Sequence, residues 1–365
     1  MTSKLPAESD MPMAPKALPR PLKIAVDGMG GDHAPSSVIK GMALALARLP
    51  FLSFELFGDQ EVLLPLLKRH KTLAKVTTLQ HTDEKILAST KPAEALRGLR
   101  QSSMRLALDA TKSGACDATV SAGNTGAYLA LAKFVLKTLQ GVTRPAIVSQ
   151  VPTQKGETVF LDLGGNLTCS ARHLVEFALM GRVFARHLLF CEQPKVGLLN
   201  VGSEMLKGVE SIKEAAKCLE KVLPHYYGFV EGNDITKGTV DVVVADGFAG
   251  NVALKASEGA VEFLLQSLKN CFNSSFATKL AYLCARGVLK TLATQLDPRK
   301  YNGAFWLGLD GVAVKSHGGA DPLAFSYAIE MAADMANSTL KAEIEKEMER
   351  LATYDLFSAS AQKVS

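Results

Sequence analysis

Four loops of this 365-residue chain hold the residue types that can do chemistry, and each follows an apolar run. Asp27-Gly28-Met29-Gly30-Gly31-Asp32-His33-Ala34-Pro35 lies between a strand-like segment and a helical one. Glycine there permits a tight turn, and the N–H groups and the helix N-terminus that follow face an anion. The loop suits a phosphate cradle, and it suits equally an Asp-capped turn without a ligand. Ser121-Ala122-Gly123-Asn124-Thr125-Gly126-Ala127 repeats the arrangement, with N-capping by Asn124 or Thr125 as its structural alternative. Asp246-Gly247-Phe248-Ala249-Gly250-Asn251 is a third cradle, with Lys255 about one helical turn beyond Asn251, and Asn166 closes the related loop Gly164-Gly165-Asn166. Lys315-Ser316-His317-Gly318-Gly319-Ala320-Asp321 pairs a fixed cation with a titratable imidazole. A lone His317 is more often structural; beside Lys315 and glycine it reads as functional.

Better-known phosphate and hydrolase signatures are missing. Counting from Gly28 and Gly30, the sixth place of a dinucleotide fingerprint is His33 where glycine is needed for close helix–strand packing. No Gly-Lys followed by Ser or Thr occurs, nor H-E-x-x-H or G-x-S-x-G. Ser37-x-x-Lys40 has the spacing of a β-lactamase nucleophile but lacks that family's companion motifs. The six cysteines contain no C-x-x-C pair and lie in apolar segments, as reduced core thiols do, so no metal site is expected.

The elements that must position these loops follow a repeated grammar. Leu22 to Asp27, Leu52 to Phe57, Ala74 to Leu79, Asp117 to Ser121, Ala146 to Val151, Val159 to Leu163, Val196 to Val201 and Val240 to Ala245 read as strands. Between them, Pro35 to Leu49, Gln60 to Arg69, one long stretch from Pro92 to Lys112, and Ala127 to Leu139 read as helices. Alternation of this kind predicts a parallel sheet covered by helices, with ligands in the loops at the carboxyl ends of the strands. Five or six such loops are expected to converge on one crevice.

Composition is that of an ordinary globular protein, 47% hydrophobic and 21% charged, with a net charge of +5 too small to argue for nucleic acid. No apolar run approaches the 18 or so residues of a membrane span. The proline-rich segment 1–21 reads as a flexible leader without an apolar signal region, which implies a cytosolic address. Residues 22–353 read as one large α/β domain and 354–365 as a tail. Within the domain, 263–296 holds no Asp or Glu but carries Lys269, Lys279, Arg286 and Lys290, a cationic amphipathic helical insertion.

At these loops the sequence resembles the bacterial phosphate acyltransferases, which make acyl phosphates from acyl carrier protein thioesters at the start of phospholipid synthesis. The likeness covers about 22 to 335. It rests on the 27–35 and 121–127 loops, Arg144-Pro145-Ala146, Leu161-Asp162-Leu163-Gly164-Gly165-Asn166, Gly197 to Glu204, Glu231-Gly232, the 246–251 loop and Lys315-Ser316-His317-Gly318. The family pattern usually has alanine at Gly165 and asparagine at Phe229, so an amide is missing at the latter. The resemblance implies a three-layer α/β/α fold with a mainly parallel sheet, akin to isopropylmalate and isocitrate dehydrogenases. It also implies a cytoplasmic homodimer that uses orthophosphate and long-chain acyl carrier protein without a cofactor. Its product passes to a membrane-bound glycerol-3-phosphate acyltransferase, with the enzyme held peripherally at the inner face of the cell membrane.

Under that resemblance the loops take roles. Backbone amides at Gly30, Gly31 and Gly123, with His33, Ser121, Asn124 and Thr125, are expected to hold phosphate or the acyl oxygen, supported by Asn166, Gly250, Asn251 and Lys255. Lys315 and His317 neutralise developing charge, and Asp32 or Asp246 orients them. Lys269, Lys279, Arg286 and Lys290 face anionic lipid or the acidic carrier protein, or else belong to a helix pair that completes a dimer or the core. Two other classes remain at this point: a nicotinamide-dependent dehydrogenase of the isopropylmalate type, and a non-enzymatic membrane-associated scaffold.

Overall fold

The computed structural model describes residues 20–295, 297–354, 356 and 357, so most of the leader and most of the tail lie outside the described residues. The first half contains β1 (Leu22–Asp27), α1 (Ser36–Arg48), β2 (Leu52–Gly58), α2 (Gln60–Lys68), α3 (Lys71–Lys75), β3 (Thr77–His81), α4 (Pro92–Gly98), α5 (Ser103–Lys112), β4 (Ala118–Ser121) and α6 (Thr125–Leu136). The middle contains β5 (Ala146–Thr153), β6 (Gly156–Leu161), α7 (Ala171–Leu189), β7 (Val196–Leu199), α8 (Glu210–Val222), β8 (Tyr226–Val230), α9 (Gly232–Lys237) and β9 (Val242–Val244). The chain ends with α10 (Gly247–Asn273), α11 (Phe276–Gln295), β10 (Ala304–Leu307), β11 (Val312–Lys315), α12 (Pro322–Ala336) and α13 (Leu340–Ala352).

All eleven strands join one sheet in the order β3-β2-β1-β4-β11-β10-β5-β6-β9-β7-β8. Successive strand residues point to opposite faces, and both faces are apolar. Ile24, Val26, Phe54, Val120, Val148, Leu161, Val242 and Val314 pack on one side with α1, α7 and α12. Ile147, Phe160, Val243, Trp306 and Ala313 pack on the other with α6. Helices therefore cover both faces of a mixed α/β sheet.

Most pairings are parallel, but β10 is antiparallel to β11 and to β5, and β5 is antiparallel to β6. This odd number of reversals makes β6, β9, β7 and β8 run opposite to β3, β2, β1, β4 and β11. Loops after the two sets of strands therefore leave the sheet in opposite directions, while Val314, Phe305, Val148 and Leu161 lie in one cross-strand row that sets the carboxyl ends of β11 and β6 at nearly the same level, three strands apart. The stretch Pro92 to Lys112 is also two helices, because the chain is extended at Ser102 before α5 begins. The region Ala74 to Leu79 divides between the end of α3 and the start of β3.

The cationic stretch 263–296 occupies the second half of α10 and all of α11, with Leu296 outside the described residues. Beyond the first two turns of α10, where Ala249, Ala253 and Leu254 pack against the core, these helices form a hairpin standing clear of it; α10 fully buries only Gly247 and Gly250. A Cβ at Gly250 would overlap the Asp162 carbonyl oxygen, so the backbones of α10 and the loop after β6 touch. Gly250→Ala is expected to cost about 2 kcal/mol, as overpacked sites do, measured as a lower urea midpoint at unchanged slope.

Candidate active site

Three loops meet at the carboxyl ends of β1, β4 and β11. At their centre is Asp27, 1% exposed. Its Oδ1 accepts from Ser103 Oγ at 2.6 Å and from the Met29 N–H at 3.2 Å, and its Oδ2 accepts from Ser121 Oγ at 2.6 Å. Burial raises the Asp27 carboxyl above the ordinary aspartate value, opposed by these hydrogen bonds and by Lys315. Ser121 gives its hydroxyl hydrogen to Asp27 and accepts from the Gly123 N–H at 3.0 Å. The expectation that Ser121 donates to phosphate is therefore corrected, because its one proton is already placed. A Cβ at Gly30 would overlap Asp27 Oδ2 and crowd the Gly123 N–H, so only glycine allows the first two loops to close on this carboxylate.

Asp32 ties the third loop to the first, its N–H donating to the Gly318 carbonyl at 2.8 Å. Lys315 is buried, and its Nζ donates to the Ser316 carbonyl. Burial pulls this ammonium down to about 8, against the opposing pull of Asp27 and Asp32. His317 is exposed beside it, held by its N–H on Asn302 Oδ1 at 2.9 Å. Asn302 in turn donates to Ser316 Oγ and the Ala324 carbonyl. Asp32, His33 and Thr125 are exposed at the rim, and Gly31 and Gly123 line the same convergence.

Asn124 does a different job from the one expected. Its Oδ1 accepts from the Ala127 N–H, capping α6, and its Nδ2 donates to the carbonyls of Leu87, Ala88 and Thr90. Its structural alternative holds: the side chain latches the 82–91 segment onto α6 and leaves no donor for an anion. Asp27, Ser103 and Asn302 were absent from the sequence-based set. Asp27 at the end of a strand was the available signal, whereas Ser103 and Asn302 carried none.

Asn166, Asp246, Gly250, Asn251 and Lys255 belong to the loops after β6 and β9 and to the start of α10. Here Asp162, fully buried, accepts from the Ile147, Gly165 and Asn166 N–H groups and from Asn166 Nδ2. Asp246 caps α10 through the Ala249 N–H, and Asn251 Nδ2 donates to the Leu163 carbonyl. Asn166 also donates to the Pro145 carbonyl. These amides and carboxylates hold their own loops together, and Lys255 is exposed on α10. Among the described residues no hydrogen bond joins the two clusters, so Asp246 does not orient Lys315 or His317.

The family model described as fatty acid synthesis protein matches residues 22–343. A phosphate acyltransferase of Rhodospirillum centenum is 51% identical over 330 residues, covering 90% of this chain and 93% of that one. One of Rhodospirillum rubrum is 49% identical over 331 residues, covering 89% and 95%. The chain belongs to the phosphate acyltransferase family. Among solved structures, a phosphotransacetylase from Streptococcus pyogenes aligns with a TM-score of 0.56 at 17% identity, covering 86% of this chain and 94% of that one. A branched-chain phosphotransacylase from Enterococcus faecalis V583 aligns with a TM-score of 0.56 at 14% identity, covering 86% and 99%. These neighbours share the fold. Family membership decides among the classes left open by the sequence in favour of an acyltransferase.

The Asn124 latch makes a specific demand. Asn124→Ala, which strands three carbonyls and uncaps α6, is expected to lower stability by about 1–3 kcal/mol, whereas Thr125→Ala at the exposed rim stays within about 0.5 kcal/mol. Urea unfolding of the two variants distinguishes them.

Proposed function

We propose that this enzyme transfers a long-chain fatty acyl group from acyl carrier protein to inorganic phosphate, forming acyl phosphate for phosphatidic acid and phospholipid synthesis. The observation that carries this reading is a buried ammonium, Lys315, beside an exposed imidazole, His317, where three glycine-containing loops meet. Phosphate is already anionic at neutral pH, so the protein's task is placement and neutralisation more than base catalysis. A phosphate oxygen attacks the thioester carbonyl carbon, the carbonyl oxygen takes up negative charge, and collapse breaks the C–S bond. The proton shed by phosphate ends on the thiol, whose pKa near 8 to 9 makes it a fair leaving group.

In this reading the backbone N–H groups of Gly30 and Gly31, with Thr125 and His33 at the rim, receive phosphate or the acyl oxygen, while the Gly123 N–H is held by Ser121. Lys315 and His317 balance the charge, and Asp32 orients them across the Gly318 contact. The arrangement of the sheet and its two helical layers is akin to that of isopropylmalate and isocitrate dehydrogenases.

The α10–α11 hairpin supplies the outward contacts. Phe263, Phe276 and Val288 are 74%, 86% and 75% exposed, and Lys269, Lys279, Arg286 and Lys290 are exposed with them. We assign the apolar part to a homodimer contact and the basic part to the carrier protein or to anionic lipid at the inner face of the cell membrane. There the product meets a membrane-bound glycerol-3-phosphate acyltransferase. No helix of the described residues is long and apolar enough to cross a membrane. The enzyme then works in the cytoplasm and attaches peripherally.

Palmitoyl carrier protein and orthophosphate are expected to yield acyl phosphate, trapped by hydroxylamine, with equal release of carrier thiol. Thiol without acyl phosphate would mark a thioesterase. His317→Ala is expected to lower turnover by about two orders of magnitude, the usual cost of losing one preorganised group. Because Lys315 is charged below about 8 and neutral above it, the phosphate-dependent rate falls as pH rises through about 8.

A further inference from the structure

β1, β4 and β11 are adjacent and parallel, with Val26 opposite Val120, Val120 opposite Val314 and Ser121 opposite Lys315. The three valines share the core on one face, so the next residue of each strand points to the other face. Asp27, Ser121 and Lys315 thus form one row at the strand tips, on the face that α5 covers with Ser103, at about 4.8 Å per strand. Anion, hydroxyl and cation alternate in order across the row, and the exposed anion-facing loops lie directly beyond it.

We propose that Asp27 is the positioning residue of this site: it holds the three loops in register and supplies the fixed negative charge that keeps Lys315 an ammonium. The proposal rests on reading these loops as the phosphate site, and it gives that site an internal counter-charge. A buried ammonium facing a phosphate needs such a charge before phosphate arrives, since burial alone favours the neutral amine. Asp27 is suited to the task because three donors fix its carboxylate and because it is buried, out of reach of substrate. The other titratable groups facing the pair are Asp32, from the loop after β1, the exposed His317 imidazole beside Lys315, and the Tyr128 phenol of α6, whose pKa burial and then Asp27 push up. Ser103, from α5, and Ser121 contribute hydrogen bonds but no charge.

The direct test is the titration of Lys315 itself, read by NMR of protein labelled with 13C at lysine Cε and assigned by the signal lost in Lys315→Arg. In Asp27→Asn, which keeps the shape of the side chain, Lys315 is expected to titrate about one unit lower, and the alkaline limb of kcat/KM for phosphate moves down with it. In Ser121→Ala, which removes a hydrogen bond but no charge, both stay in place. An unmoved Lys315 in Asp27→Asn, or equal movement in both variants, overturns the proposal. Should Asp27→Asn fail to fold, Lys315→Met gives the reciprocal measurement: the Asp27 13Cγ signal must titrate higher without the ammonium, and an unchanged titration overturns the pairing. If Lys315 shifts as expected while wild-type enzyme forms no acyl phosphate, the Asp27–Lys315 coupling stands and the assigned reaction falls.

Discussion

A carboxylate taken out of water is tolerated only where donors meet it, and Asp27 is met by Ser103, Ser121 and the Met29 N–H. That requirement governs the local architecture. It explains why the chain breaks between α4 and α5, since a continuous helix from Pro92 would not start a turn at Ser103 with its hydroxyl on Oδ1. It also explains why Gly30 has no side chain, because any Cβ would occupy the space that Oδ2 and the Gly123 N–H share. The Ser103 and Ser121 hydroxyl protons and the Met29 N–H are all turned inward onto this one carboxylate.

The second constraint is the reversal through β10, β5 and β6. It divides the sheet into two sets of parallel strands and leaves each set with its own loop cluster. In the loop after β6, Asp162 is treated in the same way, buried and met by three backbone N–H groups and the Asn166 amide. The two carboxylates differ in one respect. Asp27 lies two strands from a buried cation, whereas Asp162 has only neutral donors bonded to it, and burial raises its pKa too. A neighbouring cation therefore distinguishes the Asp27 cluster from the one around Asp162, whose bonds hold together its own loops.

Much of this was legible in the chain before folding was considered. β1, β2, β4 and β5 stand where apolar runs predict them, because strands buried on both faces read as continuous apolar segments. Strand direction was not legible: Ala304–Leu307 has nothing in its composition to say that it runs against both neighbours. The loops at 27–35, 121–127 and 315–321, which the structure brings together, stand out in the sequence by glycine and polar residues beside helix starts. The meaning of individual side chains depended on distant partners. Asn124 looks like an anion ligand until the carbonyls of Leu87, Ala88 and Thr90 arrive from more than thirty residues upstream. Ser121 looks like a donor until β1 brings up Asp27.

The α10–α11 hairpin follows another logic. Helices of 27 and 20 residues gain most of their stability from packing an apolar face, yet in one chain α10 buries only two glycines and α11 has no buried residue among those described. Phe263, Phe276, Leu283 and Val288 are too large and too exposed to be incidental surface. From Phe263 onward the only charges on the hairpin are positive, so whatever covers its apolar stripe must tolerate cations at the margin. In the proposed function a second hairpin would satisfy the apolar requirement, and an anionic surface would satisfy the remaining charge. The two contacts can coexist because helices of this length have room for both. In the function proposed above, phosphate is then held on the sheet while the acyl product is handled at a distance, on the α10–α11 hairpin.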